Sequence, residues 1–381
     1  MSLQFETTHS SMIHLLRRSG LKLPWVKHRS YWNQFCYFAY DILLFTIGLY
    51  QFICSACSII FVPTFQDMCT LGIVTSVLAT GGSITLFYFF YQNRLEKFTD
   101  NWNALNDNIL NSDLDKKDFF RQMFLQVAKN NESFTKTILF VVFWTPIIYC
   151  TPVPVVDAIK QSYRTNLPLP ILYLYDDRQP VVYEVTFFLH MMGLVISVMK
   201  KFGNDCFFLA LFKIHIAYLR YLSVAIKCEG TKFSKCNNKI IKQNLISWIK
   251  IHQQIVKNAQ DLIRLYTPII IVYHVNLICI VVFGLFTQIK NDRDSSVQRI
   301  GTAMFCTVNI FQLYMQCSSA EELTNEAEKV SQEIYNTPWN EVDECNADII
   351  RLVLKMASRP VEVTAFKAPT FLLNKQSFVA V

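Results

Sequence analysis

Two histidines are the side chains with acid–base chemistry inside the most apolar parts of the sequence. His190 and His274 lie within stretches that are otherwise rich in Phe, Leu, Ile and Val. An ionisable side chain in a membrane-like setting is costly and commonly marks a functional site. The alternative is a neutral imidazole that hydrogen-bonds to a neighbouring helix, and the sequence favours this second interpretation.

The remaining polar residues show no spacing that is typical of an enzyme. The sequence contains no Gly-rich phosphate loop, no His-Glu-x-x-His motif and no nucleophile elbow. The 12 Cys are scattered, and none of their spacings predicts a zinc site. Acidic residues are absent from the centres of the apolar stretches, which argues against a proton- or sodium-coupled pump. We therefore expect no enzyme activity, no cofactor, no metal and no nucleic-acid partner.

The composition indicates an integral membrane protein. The 381 residues are 52% hydrophobic and only 17% charged, whereas an average soluble domain has about 25% charged residues. A bilayer core of ~30 Å needs a helix of about 20 apolar residues. Five stretches of that length contain no Asp, Glu, Lys or Arg, and 185–199 is a shorter sixth candidate; the five are 42–66, 68–93, 137–156, 265–289 and 300–320. We expect an all-α membrane protein with six full transmembrane helices in a lipid bilayer.

The distribution of basic residues predicts the orientation of these helices. The segments 1–34, 94–136 and 200–264 together hold 24 Lys and Arg, and the alternate segments hold 6. Positively charged segments stay in the cytoplasm, so the N-terminus is expected inside. A G-protein-coupled receptor has the opposite orientation. The stretch 185–199 is too short to cross the bilayer by itself. It can be extended outward to include Glu184 at the interface, or inward with the side chains of Lys200 and Lys201 reaching the interface.

The long segments on the predicted cytoplasmic side carry helical stripes of apolar residues. Spacings of three and four residues predict one buried face on each helix. The stripes are Ile241, Leu245, Trp248, His252, Ile255, Ala259 and Leu262, then Leu323, Ala327, Val330 and Ile334, then Ile349, Val353 and Met356. Such faces pack either within one chain or between subunits, and the sequence leaves both possibilities open.

Two regions resemble insect odorant receptors. The outer connection 167–190, LPLPILYLYDDRQPVVYEVTFFLH, is similar to the loop before the fourth span of that family. The C-terminal region from IYNTPWNEVD to FLLNKQSF is similar to the family's most recognisable segment. The positions that match family motifs or its cytoplasmic anchor are Trp248, His252, Tyr335, Trp339, Arg359, Pro360, Thr364, Ala365, Leu372 and Phe378.

The resemblance implies an architecture and a function. Members are odorant-binding subunits of ligand-gated, non-selective cation channels, and they form heterotetramers with a co-receptor in the plasma membrane of olfactory sensory neurons. We expect a cytoplasmic segment at 1–34, helices one to six within 35–320, and a split seventh helix within 321–381 whose pore-lining half is truncated after Val381. A helical cytoplasmic anchor would hold the subunits together.

The family's pocket for small, volatile, hydrophobic ligands lies among spans two, three, four and six. We map this pocket onto the present sequence by the depth of each residue along those spans. For each mapped residue, the alternative to ligand contact is ordinary helix packing or contact with lipid. The mapped residues are Val74, Thr75, Leu78, Ile148, Tyr149, Cys150, Phe187, His190, Met191, Leu194, Met304, Phe305 and Val308. Among them, Tyr149 and His190 are expected hydrogen-bond donors.

Three other functions remain open on the sequence. An insect gustatory receptor has the same fold, a G-protein-coupled-type receptor is a membrane protein without a channel, and a truncated isoform would bind ligand without conducting. The location of the N-terminus separates the second of these from the odorant receptor, since only the odorant receptor family has it inside.

Overall fold

The computed structural model of the chain describes most of the residues between Ser10 and Ser358. The described ranges are 10–21, 31–62, 64–112, 116–150, 179–233, 237–289 and 296–358, with the separate positions Phe5, Leu23, Ile171, Tyr173, Tyr175, Val363, Lys375 and Gln376.

Every regular element within these ranges is helical. In chain order the helices are α1 (Ser10–Arg18), α2 (Tyr31–Phe61), α3 (Phe65–Phe90), α4 (Gln92–Asn111), α5 (Lys117–Cys150), α6 (Pro180–Gly230), α7 (Asn238–Ile289), α8 (Ser296–Tyr335) and α9 (Glu344–Ala357), with a short 3₁₀ turn at Trp339–Glu341. The prediction of an all-helical chain is confirmed for the described part.

Four of these helices are long and apolar enough to cross a membrane. They run over Phe35–Phe61, Asp67–Phe90, Val181–Gly230 and Asn238–Gln288 in the described residues. Helices α5 and α8 contain the other two predicted spans, 137–156 as far as Cys150 and 300–320. The count of six full spans therefore stays a prediction.

The cytoplasmic helices are continuations of the membrane spans. Helix α6 has 51 residues and α7 has 52, so at 1.5 Å per residue each is more than 75 Å long, at least twice the ~30 Å of a bilayer core. The segment 200–264, predicted to be a long helical loop, is divided between α6 and α7, and the described connection between them begins after Gly230 and ends before Asn238. A uniformly helix-compatible sequence across the boundary gives the helix no reason to end there.

A tight turn sets the antiparallel arrangement of α2 and α3. Thr64 caps α3: its Oγ1 accepts a hydrogen bond of 3.1 Å from the backbone N–H of Asp67 and donates one of 2.6 Å to the Asp67 carboxylate. This cap satisfies one of the free N–H groups at the start of the helix. The chain thus turns back on itself within three residues, and α2 packs along α3.

The predicted cytoplasmic stripes are buried inside this single chain. Trp248 and Leu245 are at most 1% exposed, and Leu323 and Val330 are equally buried. They belong to one large apolar core that joins α1, α4, α9 and the predicted cytoplasmic parts of α6, α7 and α8, and this core is called the cytoplasmic core below. Of the two possibilities left open by the sequence, packing within the chain therefore accounts for the stripes.

The predicted motif positions near the C-terminus differ in exposure, and several lie outside the described residues. Tyr335 is 63% exposed, while Trp339 is partly buried against the large core. Helix α9 lies where the cytoplasmic part of the seventh helix was expected. Outside the described residues lie Arg359, Pro360, Thr364, Ala365, Leu372 and Phe378.

Candidate functional site

A small cavity lies between α3, α5, α6 and α8. Its volume is about 50 Å³, and it is lined by Ile73, Val74, Val77, Thr145, Pro146, Leu194, Val198, Gly301, Thr302 and Phe305. All four helices contribute from the same end: the lining residues lie in the first halves of α3, α6 and α8 and in the last two turns of α5. By the predicted orientation, this is the outer end of the bundle.

The spacing of the lining residues follows from helical geometry. Residues four apart lie on the same face of a helix, and Leu194 and Val198 form the α6 wall in this way. The α8 wall repeats the pattern with Gly301 and Phe305, where the missing side chain of Gly301 leaves room beside the ring. The cavity is therefore a gap between four regular helix faces.

The chemistry of the lining is apolar. Eight of the ten lining residues have no polar side-chain atom, and the other two are Thr145 and Thr302. Thr145 Oγ1 donates a hydrogen bond of 3.1 Å to the carbonyl of Val141 in its own helix, so its oxygen is left to accept. Such a site can bind a small apolar molecule with one or two hydrogen bonds, and it offers no group for catalysis.

Three predicted pocket residues line the cavity: Val74, Leu194 and Phe305. Val308 packs with Phe305 in the apolar cluster beside it. Leu78 and Met191 do not line the cavity and belong to a second apolar cluster, which contains Ile171 together with the cavity residues Val74 and Leu194.

The other predicted pocket residues lie elsewhere. Thr75 Oγ1 is 2.7 Å from Ser55 Oγ on α2, Phe187 is half-buried and Met304 is 52% exposed on the outside of the bundle. Met304 misses the cavity because one residue of helix rotates a side chain by about 100°, and its neighbour Phe305 takes the inward position. Ile148, Tyr149 and Cys150 lie in α5, and their side chains are outside the described part of the structure.

Sequence reasoning missed seven lining residues. They are Ile73, Val77, Thr145, Pro146, Val198, Gly301 and Thr302. All seven lie three or four positions from a predicted residue, or next to one, on the same helix. Extending the predicted positions by one helical turn would have identified most of them, whereas choosing the inward face of α5 required the positions of its neighbours.

The two histidines have structural partners. His190 is fully buried, and its Nε2 hydrogen-bonds to the hydroxyl of Tyr173 in the outer connection. Tyr173 stacks on Tyr175 with ring centroids 4.9 Å apart, and Tyr175 in turn bonds to Thr186 Oγ1 at 3.0 Å. His274 Nδ1 lies 2.8 Å from the carbonyl of Ile270 in its own helix. His190 therefore ties the outer connection to α6 next to the cavity, where we had expected a bond to a neighbouring helix.

The sequence left open whether the two lysines of α6 reach the membrane surface, and the structure buries both of them. Lys200 and Lys201 are each 3% exposed. Lys200 Nζ donates a 3.0 Å hydrogen bond to Thr85 Oγ1, and Lys201 Nζ donates to Asn309 Oδ1. Both amines turn inward because α3 and α8 offer acceptors there. They form part of a buried polar layer between the cavity and the cytoplasmic core.

This polar layer continues through the centre of the bundle. Asn204 accepts a hydrogen bond of 2.9 Å from the Tyr88 hydroxyl and donates one of 2.8 Å to the Tyr273 hydroxyl. Gln316 donates to Asp205 at 3.3 Å. The layer joins α3, α6, α7 and α8, and three of these helices, α3, α6 and α8, also line the cavity.

Solved insect receptors have a similar fold. The olfactory receptor OR5 from Machilis hrabei superposes with a TM-score of 0.79 at 16% identity, covering 98% of this chain and 94% of that one. The same receptor in complex with eugenol gives a TM-score of 0.76 at 14% identity, with the same coverage. At such low identity the likeness concerns the fold.

Sequence comparison gives the family. Odorant receptor 94a from Drosophila melanogaster is 27% identical over 179 residues, which span 46% of this chain and 45% of that protein. The aligned part is thus less than half of this relative. The sequence profile described as 7tm Odorant receptor matches residues 61–380. This match covers most of the chain and all four helices around the cavity, and the chain belongs to the 7tm odorant receptor family.

Proposed function

We propose that this chain is an odorant receptor subunit that binds a small, volatile, hydrophobic molecule in the cavity between α3, α5, α6 and α8. Together with a co-receptor subunit it gates a non-selective cation channel in the plasma membrane of olfactory sensory neurons. The observation that carries the proposal is the apolar lining of the cavity, with eight of ten residues lacking polar side-chain atoms. A receptor of similar fold has been solved in complex with eugenol, a small aromatic compound.

The energetics suit a weak, shape-selective ligand. Apolar burial contributes ~25 cal/mol per Å², so an odorant that buries about 200 Å² gains ~5 kcal/mol before the costs of binding. This corresponds to an affinity no tighter than roughly 0.2 mM. Hydrogen bonds to Thr145 or Thr302 would add specificity to a site that otherwise selects by size and shape.

Binding must also widen the cavity. Its volume of about 50 Å³ is well below the roughly 300–1,000 Å³ of sites for larger ligands. A ligand therefore moves Phe305 or one of the four helices outward. The ligand has a higher affinity for the state with the widened cavity than for the state with the small one. Binding therefore shifts the equilibrium toward the widened state, and such a shift is what gating requires.

The test is current recorded from oocytes that express the full chain with an insect co-receptor. A panel of volatile compounds should evoke a cation current that requires both subunits. Leu194→Phe adds a ring to a residue that is 6% exposed and lines the cavity. Overpacking costs about 1–3 kcal/mol, so we expect the half-maximal odorant concentration to rise about ten-fold or more at equal surface expression.

Met304→Phe is the matched control, because it also introduces a ring on one of the four helices around the cavity, α8, but at a residue that is 52% exposed on the outside of the bundle. It should leave the odorant response unchanged. An unchanged response for Leu194→Phe would show that the ligand binds elsewhere. Odorant binding to the purified chain without any current would support the binding part of the proposal and contradict its conducting part.

A further inference from the structure

A second, larger cavity lies between α1 and α2, away from the proposed odorant site. Its volume is about 430 Å³, and it is lined by His14, Arg17, Arg18, Cys36, Tyr37 and Tyr40. Its lining is basic and aromatic. Basic side chains of this kind bind anions through charge-assisted hydrogen bonds.

By the predicted orientation, the first turns of the apolar part of α2, which runs over Phe35–Phe61, enter the bilayer at the depth of the inner lipid headgroups. The cavity residues of α2 directly precede the apolar stretch 42–66, on the side that the basic residues predict to be cytoplasmic. The surface of α2 around the cavity is aromatic and exposed: Trp32 is 71% exposed, Phe35 61% and Phe38 50%. Exposed aromatic side chains at a span's end form the belt that is typical of a membrane–water interface.

The cavity is held in shape by a buried ion pair. Arg17 Nη1 donates to both carboxylate oxygens of Asp41 on α2, at 2.8 and 2.6 Å, and to the carbonyl of Leu21 at 3.2 Å. Its guanidinium also lies 4.6 Å from the centroid of the Tyr37 ring. Arg17 is therefore neutralised by Asp41, and its role is to fix α1 against α2.

The C-terminal end of α1 is also held in place by specific contacts. Gly20 has a φ of +83°, a left-handed conformation that favours glycine and ends the helix. The Tyr40 hydroxyl donates a hydrogen bond of 2.6 Å to the carbonyl of Arg18. On the opposite face of α1, Met12, Ile13 and Leu16 are buried in the cytoplasmic core. The position of the cavity is thus determined by contacts on both sides of α1.

One positive charge in the cavity is left without a carboxylate. The side chains of Arg18 and His14 are exposed, and the ion pairs found in the described part of the chain involve neither residue. Asp41 is already bonded twice to Arg17. The lining residues of the cavity, taken with Asp41, consequently have a net positive charge.

We infer that this cavity binds the phosphate of an anionic phospholipid of the inner leaflet. Arg18 and His14 donate to the phosphate, and the exposed aromatic side chains of α2 lie along the acyl chains. The cytoplasmic leaflet has a negative surface potential, and each basic residue near it contributes about 1 kcal/mol of attraction. The site would anchor α1 to the membrane independently of any odorant.

The test is lipid binding by the purified full-length chain. The protein is mixed with phosphatidylcholine vesicles with and without phosphatidylserine that carries a photoreactive group near its headgroup. After irradiation, labelled peptides are mapped. We expect labelling within 10–21 and 31–41, and an about five-fold weaker labelling for Arg18→Gln, which corresponds to the ~1 kcal/mol of one basic residue. Arg18→Lys should retain most of it.

Arg121→Gln is the control, because Arg121 is an exposed residue of α5 outside the cavity. It should label like the unmodified chain. Equal labelling of Arg18→Gln and Arg121→Gln would overturn the inference, and so would the absence of a preference for phosphatidylserine. Loss of labelling on addition of inorganic phosphate would identify a free anion as the ligand in place of lipid. A covalent link from this cavity to a second protein chain would identify a subunit contact.

Discussion

Trp248, one of the positions predicted to match a family motif or its anchor, has an identifiable structural role. It is 1% exposed, and its Nε1 donates a hydrogen bond of 2.7 Å to a carboxylate oxygen of Glu229. Its ring stacks on Phe233, with centroids 5.5 Å apart. Glu229 lies in the last turn of α6, and Trp248 lies in the first turns of α7. This contact therefore stabilises the connection between the two longest helices.

Trp248→Phe should destabilise the protein without touching the proposed odorant cavity. Phenylalanine keeps most of the ring packing and loses the hydrogen bond to a buried carboxylate, which is worth about 1.5–3 kcal/mol. Thermal denaturation of the purified protein should therefore shift to lower temperature. Trp32→Phe, at a position that is 71% exposed, should leave the transition unchanged. A normal transition for Trp248→Phe would mean that the contact does not stabilise the turn.

At the scale of elements, the cavity depends on how closely α3 and α6 approach. A Cβ added at Gly81 would lie 2.9 Å from Ser197 Cβ and 3.0 Å from Ser197 Cα. Because a backbone atom cannot move out of the way as a flexible side chain can, only glycine permits this distance. One turn or so away, the cavity walls Val77 and Val198 belong to the same two helices. The glycine therefore sets the spacing of two of the four walls.

Gly81→Ala should separate α3 from α6, and Gly82→Ala should not. An alanine at Gly81 must push Ser197 away, at a cost of about 1–3 kcal/mol, whereas a Cβ at Gly82 meets nothing within 4 Å. We expect a lower thermal transition and an altered odorant sensitivity for Gly81→Ala. Gly82→Ala should be neutral or more stable by up to about 1 kcal/mol, because alanine favours the helix. Equal stability of the two variants would contradict this account of the contact.

At the scale of the whole molecule, the membrane part and the cytoplasmic core share the same helices. Helix α6 contributes Leu194 to the cavity and Tyr218 to the cytoplasmic core. In the cytoplasmic part, Arg220 of α6 pairs with Glu322 at 2.8 Å and with Glu326 at 3.1 Å on α8. These pairs link α6 to α8 in the cytoplasmic part, and the same two helices both line the cavity.

The predicted orientation applies to the whole molecule and can be measured directly. The Lys and Arg distribution predicts a cytoplasmic N-terminus. A tag at Met1 should react with antibody only after cells are permeabilised, and a tag in the outer connection 157–178 should react on intact cells. Labelling of the Met1 tag on intact cells would reverse the orientation, and it would also place the α1–α2 cavity at the outer leaflet.

Much of this protein follows from its sequence because the governing signals are local. Apolar length predicts helices that cross a membrane, and spacings of three and four predict buried stripes such as Leu245 and Val330. Neither inference requires knowledge of the neighbouring elements. The helical membrane class that these signals predict is confirmed by the fold shared with the solved insect receptor. The odorant receptor family, which was predicted from the resemblance of the outer connection and the C-terminal region, is confirmed by the family profile.

Only the tertiary structure decided which side chains meet. Met304 and Phe305 are adjacent and similar in hydrophobicity, yet one is exposed and the other lines the cavity. Lys201 points inward because α8 places Asn309 beside it, and no pattern within α6 specifies that partner. The rotation of each helix and the cavity itself depend on packing between residues far apart in the chain, which periodicity along one helix does not encode.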